Sequence, residues 1–208
     1  MSSADWFNCE NQPIDKTLPD DCLVLHVLAP MSLHKLLGAG NLLYDVLDQI
    51  LVAMNAPITA ENWAVSCSLN RLDHYGGKEQ FNGHQIHTLL KNLEKLKTLL
   101  NEHNVYESCK PLFETFENLQ MVVKSCFGKV LYPRYYDDIK RFAASYFKLM
   151  AYCRTLDISL NVTYKVHGIF VHIRQYLNYL KETFDLEIGL GFARFESSQI
   201  LGFQFISY

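Results

Sequence analysis

Residues 81–100 read FNGHQIHTLLKNLEKLKTLL, and the spacing of the apolar residues in this stretch decides the fold class. Ile86, Leu89, Leu90, Leu93, Leu96 and Leu100 recur every three or four positions, the repeat of a helix that buries one stripe. Lys91, Glu94, Lys95 and Lys97 fall between them and take the wet side. Asn82, just ahead of the first apolar position, carries the side-chain acceptor that the unpaired N–H groups of a first helical turn require. The stretch therefore predicts an amphipathic helix that other helices must cover.

On its N-terminal side, residues 73–83 hold three glycines and no apolar periodicity, the longest loop signal in the chain. Before that loop, Thr59 is placed to cap a short helix with Trp63 and Val65. Leu33, Leu36, Leu37, Leu43, Val46, Leu47 and Ile50 predict a helix from Met31 that Pro57 breaks. Gly38 and Gly40 within it cost about 1 kcal/mol each against Ala, which predicts a close helix contact or a kink. CLVLHVLA, residues 22–29, is apolar, short and closed by Pro30, and its length favours a strand buried on both faces. Residues 1–20 are polar and contain Pro13 and Pro19, an extended arm.

On the C-terminal side a helix is predicted from about Glu107 to Phe127 through Leu112, Phe113, Phe116, Leu119 and Val123. The next starts near Pro133 and buries Ile139, Phe142, Tyr146 and Leu149. The last begins after Thr163, with Val166, Ile169, Phe170, Ile173, Leu177 and Leu180 along one side. Residues 188–208, IGLGFARFESSQILGFQFISY, are apolar and aromatic and stop without a polar tail; they read as one or two strands or as a truncated element. The expected architecture is mainly α: a single domain over 21–187 of about six helices, with one or two short strands at its flanks.

The chain has 208 residues, 49% hydrophobic and 20% charged, enough for one core and too apolar for disorder. A formal charge of −3 supplies no overall field for nucleic acid or an anionic membrane, so such a contact requires a local patch. The cysteines at 9, 22, 67, 109, 126 and 153 never fall in C-x-x-C spacing and read as scattered buried thiols of a reducing compartment. MSSADWFNCENQPIDK lacks the basic start and apolar core of a secretory leader, and no apolar run reaches the roughly 18 residues of a membrane span. The expectation is a nuclear or cytoplasmic protein, in which the sequon at Asn161 meets no glycosylation machinery and Thr163 serves as a helix cap.

Few residues suggest chemistry. His84 and His87 are three apart at a helix start, but no acid at +3 or +4 completes a metal site. His167 and His172 are five apart, about 140° around a helix of 3.6 residues per turn, so they face apart and cannot chelate together. The carboxylates Asp20, Asp21, Asp45, Asp48 and Glu196 would have to converge for two-metal phosphodiester chemistry; Asp20 and Asp21 read as loop residues, and Asp45 and Asp48 as the exposed side of the first helix. No nucleophile elbow, phosphate loop or dinucleotide fingerprint occurs, and no metal, cofactor or small-molecule substrate is indicated.

One charge imbalance stands out. Lys124, Lys129, Arg134, Lys140, Arg141, Lys148 and Arg154 face only Asp137 and Asp138, with Tyr132, Tyr135, Tyr136, Tyr146 and Tyr152 interleaved. Cations suit phosphates and rings suit stacked bases, so this segment is the candidate nucleic-acid-binding surface. Helical spacing sends several of these tyrosines inward, which would leave a solvated helix face instead.

Several blocks, in order, resemble the long open reading frames of eukaryotic DNA transposons and host genes derived from them. MSLHKLLGAGNLLYDVL, residues 31–47, is similar to their "LH-x-x-L-G-x-x-N-x-L" element, with His34, Gly38 and Asn41. YGGKEQFNGHQIHTLLKNLEKL, residues 75–96, resembles a block marked by Tyr75, Gly76, Gly77, Phe81, Asn82 and Gly83. VVKSCFGKVLYPRYYDDIKRFAASYFKL and LDISLNVTYKVHGIFVHIRQYL resemble the later helices, the second containing their "Thr-x-Lys-x-His" element as Thr163, Lys165 and His167.

In transposases with a ribonuclease-H-like core, an all-helical insertion separates the second and third catalytic carboxylates, and a C/D-x-x-H element follows the second. Here Met31 stands where Cys or Asp is expected ahead of His34. GLGF, Gly189–Phe192, is similar to the segment that leads to the late Glu, but the residues after it depart and leave Glu196 as the one acid. The resemblance implies a helical insertion with short flanks and an incomplete catalytic set. The expected role is a catalytically inactive module that binds DNA or a protein partner. The alternatives are a metal-dependent nuclease completed by a partner, with His34 and Glu196 at its centre, and a non-functional remnant.

Overall fold

Helix α1, Leu23–Ala53, is the spine of the molecule: α2 (Ala60–Ser66), α3 (Gly83–Lys91), α5 (Tyr106–Cys126) and α7 (Tyr164–Phe184) all pack on it. The short α4, Leu93–Glu102, covers α2 and α5, and α6, Tyr135–Thr155, pairs with α5 in the most extensive helix contact. Helix α7 runs through three consecutive segments: an α-turn Tyr164–His167, a π-turn Gly168–His172 and an α-helix Ile173–Phe184. This computed structural model describes residues 23–71, 80–127 and 131–184. Among the described residues the fold is seven helices around one continuous apolar core.

The mainly helical class expected from the sequence is the observed one, but two boundaries differ. Of the strand expected over 22–29, the described residues 23–29 belong to α1, so the helix expected from Met31 already runs from Leu23. An apolar run of eight residues suits either state; a helix satisfies its own backbone, whereas a strand requires a partner edge. Pro30 removes one N–H donor and the helix continues through it. The second difference is at Asn92, which divides the helix predicted over 82–100 into α3 and α4. The Asn92 carbonyl accepts from Trp63 Nε1 at 3.3 Å, and its amide donates to the Thr88 carbonyl at 2.8 Å. All six residues of the predicted stripe are buried across that break.

Helix starts follow the sequence signals. Asn82 Oδ1 accepts from Gln85 N–H at 3.0 Å while Gln85 Oε1 accepts from Asn82 N–H at 2.9 Å, a reciprocal cap. Thr163 Oγ1 accepts from Val166 N–H at 3.3 Å, as expected. At Thr59 the bond runs the other way: Asn62 Oδ1 accepts from the Thr59 N–H at 2.8 Å.

Helix stops follow one device used four times. Asn55, Ser68, Asn104 and Asp157 have positive φ, and the next residue donates back five positions: Ala56 to Leu51, Leu69 to Ala64, Val105 to Leu100, Ile158 to Cys153, each at 2.9 Å. This is the left-handed stop that satisfies orphan carbonyls and folds an apolar residue back against the helix end.

Residues 1–22, 72–79, 128–130 and 185–208, and with them the expected arm, Cys9, Asp20, Asp21, Cys22, the Tyr75, Gly76 and Gly77 motif, Lys129, the C-terminal strand and Glu196, lie outside the described residues. The Lys35–Ala53 part of α1, 19 residues of mean hydropathy 1.3, is long and apolar enough by composition to cross a membrane, contrary to the expectation that no such run exists. In this fold 56% of it is buried, the condition of a core helix.

Candidate nucleic-acid interface

The solvent side of α6 carries the basic residues singled out in the sequence. Lys140, Arg141, Lys148 and Arg154 are all exposed, with exposed Ala144 and Ala151 between them and Asp137 as the one acid on that side. From Lys140 to Arg154 the face is about 21 Å long at 1.5 Å per residue. Arg134 stands at the head of α6 with its charge committed to the fully buried Asp138, Nε to Oδ2 at 3.4 Å. Lys124 is exposed on α5 and donates to Gln120 Oε1 at 3.1 Å. Of the seven basic residues, four thus form one continuous face.

The interleaved tyrosines do not join that face as stacking rings. Tyr146 is completely buried, its hydroxyl donating to the Asn161 carbonyl at 2.8 Å, and burial pushes its phenol far above the usual range. Tyr135 donates to Asn178 Oδ1 at 2.6 Å, and Tyr152 is half-buried. Tyr136 is covered on its ring by two cations, Lys140 Nζ and Arg174 Cζ, each 4.1 Å from the centroid. Tyr132, 54% exposed, is the one ring of the five open to a base. Helical periodicity decides these positions, and the surface suits phosphates far better than bases. Arg174, absent from the sequence reading, joins the α6 cations through Tyr136 from the following helix, α7.

The motif residues have packing roles along α1. Asn41 is buried and clamps the backbone of Phe81, donating to its carbonyl at 3.0 Å and accepting its N–H at 2.9 Å. That clamp delivers Asn82 and Gly83 to the start of α3. Gly38 leaves room for the stem of Lys165, since a Cβ there would overlap Lys165 Cδ. Gly168 does the same for the stem of Lys35. Gly40 faces Ile86, so both α1 glycines serve close helix contact. His34 lies on α1 one residue before Lys35.

At that crossing the prediction for His167 and His172 fails. Their ring centroids are 5.2 Å apart, edge to face. The wider π-turn between them, with its i→i+5 bonding, removes the angular separation that an α-helix imposes. Burial, then the neighbouring His172 and Lys35, hold the His167 imidazole below its ordinary range. His84 is exposed and His87 half-buried on α3; burial, Lys91 and His84 lower the latter's proton affinity.

A separate open cleft of about 450 Å³ lies between α1, α2 and Phe81. Asp45 and Asp48, expected on the exposed side of α1, are half-buried in its wall. Asp45 pairs with Arg71 at 2.6 Å, and Asp48 accepts the Ala60 N–H at 3.2 Å. Arg71 lies over the Tyr44 ring at 4.4 Å, so the cleft already holds its own guanidinium. Among the described residues no group of three or more His, Cys, Asp or Glu is arranged to hold a metal. Neither protein-family models, nor curated proteins, nor solved structures match this chain.

Proposed function

We propose that this chain is a catalytically inactive, transposon-derived helical module that binds the phosphate backbone of duplex DNA through the solvent face of α6. The observation that carries the proposal is the set Lys140, Arg141, Lys148 and Arg154, exposed together over about 21 Å with alanines between them. Small side chains let a backbone approach closely, and four cations with no ion pair among the described residues supply the counterion release that drives non-specific binding. The inward or occupied tyrosines argue for backbone contact without base reading. The transposon origin rests on the sequence blocks of residues 31–177.

Retention of a labelled duplex across a salt series tests it, with magnesium present and the DNA recovered on a denaturing gel. Four phosphate contacts give a slope of log K against log salt of about −3.6. Arg141→Gln and Lys148→Gln each reduce that slope by about one, uniformly across DNA sequences. No retention at low salt sinks the DNA module and leaves a protein partner; magnesium-dependent cleavage replaces it with the nuclease.

A further inference from the structure

Asp138 is a carboxylate that the fold buries completely. Neither of its oxygens has a hydrogen-bond partner, so the ion pair with Arg134, Nε to Oδ2 at 3.4 Å, is its compensation among the described residues. The two ends of that pair are unlike: the Arg134 side chain is 58% exposed and the Asp138 side chain 0%. Water can replace the carboxylate at the guanidinium, but it has no access to replace the guanidinium at the carboxylate. Moving Arg134 away therefore leaves an uncompensated buried charge, a far larger cost than exchanging one partner for another at the surface.

The pair stands on the row of α6 cations. The Arg134 carbonyl accepts the Asp138 N–H at 3.1 Å, so Arg134 is in helical register with the residues that follow. Arg141 and Lys148 come seven and fourteen residues later, within about 20° and 40° of Arg134 around the axis, which sets the three cations in one row at about 10.5 Å intervals. Arg141 and Lys148 are exposed and have no ion pair among the described residues; Arg134 is held from beneath. Nor does the start of α6 require the buried acid. Asp137, exposed in the same first turn, already supplies the negative charge that a helix N-terminus favours.

A DNA backbone laid along this row meets open cations and, at their head, one whose charge is already answered. Drawing Arg134 out to a phosphate strands Asp138, so that contact is opposed by the cost it creates.

We propose that the Arg134–Asp138 pair is an autoinhibitory latch on the α6 surface: Asp138 withholds Arg134 from the DNA backbone, and neutralising this one buried carboxylate adds a fifth phosphate contact. The inference rests on the DNA reading of α6 and adds its restraint.

The test is retention of a labelled duplex across a salt series by the full chain as wild type, Asp138→Asn, Asp137→Asn and Asp138→Asn/Arg134→Gln. The slope of log K against log salt steepens from about −3.6 in wild type to about −4.5 in Asp138→Asn, an added factor of about eight in affinity for each tenfold fall in salt. Asp137→Asn removes an equal charge without freeing a cation and keeps the wild-type slope. The double variant returns to it, because the fifth cation is gone. In parallel, guanidinium nitrogen NMR of the wild type, which needs no variant to fold, shows the Arg141 Nε resonance moving on titration with duplex while that of Arg134 stays in place. An unchanged slope in Asp138→Asn, a steeper slope that survives Arg134→Gln, or an Arg134 resonance that moves with Arg141 overturns the latch and leaves the DNA surface standing. No retention by wild type or Asp138→Asn at low salt removes the DNA surface and the latch together; retention by Asp138→Asn alone shows a latch strong enough to close the surface.

Discussion

The α5–α6 pair and the α1–α7 crossing bring helices together with opposite materials. In the first, Phe113, Phe116, Leu119 and Val122 of α5 and Ile139, Phe142, Tyr146 and Leu149 of α6 are buried apolar or aromatic residues in close packing. In the second, two glycines admit two lysine stems, and one ammonium stays in the interior. Apolar burial contributes to stability without any further partner. A lysine threaded through a helix crossing contributes contact along its stem and a desolvation cost at its tip. The first region holds the fold; the second uses some of that stability to keep a charged group in place.

Four substitutions and a pH titration break or sharpen this contrast. The largest effect belongs to Phe142→Ala, which removes a ring that meets Tyr146 and Phe170 edge to face with centroids 6.1 and 5.5 Å away. Urea unfolding shows a loss of about 3–5 kcal/mol; a loss under about 1 kcal/mol would mean that α5–α6 is not where stability resides. Asn41→Ala comes next, because it strands the buried Phe81 N–H and carbonyl together, at about 1–3 kcal/mol for a group left unpaired. The same urea experiment measures it, with α3 losing amide protection first in hydrogen exchange.

The two glycines separate the two lysines. Gly168→Ala forces the buried Lys35 stem aside and costs about 1–3 kcal/mol. Gly38→Ala meets a half-exposed Lys165 that can swing outward, and a helical Ala returns about 1 kcal/mol, so its net change stays below that of Gly168→Ala. Equal losses would show that both stems are equally fixed.

The smallest effect is a pH dependence. His167 and His87 are lowered in the folded state, so the unfolded chain binds more protons in the acid range. Their contribution is complete above about pH 6.5 and is lost as pH falls through that value toward the lowered folded pKa. Lys35, also lowered, acts at the other end: its cost persists at neutral pH and is relieved as pH rises toward 10.5. The urea midpoint therefore declines from pH 7 to pH 5, and His167→Gln flattens part of that decline.

Much of the helical framework was legible because a stripe such as Ile86 to Leu100 reports one face directly, whatever happens to the backbone at Asn92. The caps at Asn82 and Thr163 were legible because a local side chain satisfies a local donor. The stops were less so: Asn55, Ser68, Asn104 and Asp157 take a conformation usually marked by glycine, and the signal is the polar residue followed by Ala56, Leu69, Val105 or Ile158. At the candidate interface, cation positions followed from helix periodicity, while Tyr136 between Lys140 and Arg174 needed a contact between two different helices. The His167–His172 pair was misread because angular spacing was taken at 3.6 residues per turn throughout, and a π-turn changes that spacing locally. The Lys-x-x-Gly form that recurs at Lys35–Gly38 and Lys165–Gly168 was present in the sequence, but its meaning depends on two helices crossing at those residues.

The buried thiols have a kinetic consequence. Cys67 closes α2, Cys109 and Cys126 lie near the two ends of α5, and Cys153 lies near the end of α6. Burial pushes Cys109 and Cys153 up to about 11, and Cys126 up to about 12 with Asp138 adding to the shift and Ser125 opposing it. A thiol so buried is out of reach, so an alkylating reagent marks each one only when its own helix lets go. The order in which the four sulfurs acquire label is then a record, written into the chain by its own side chains, of the sequence in which the bundle comes apart.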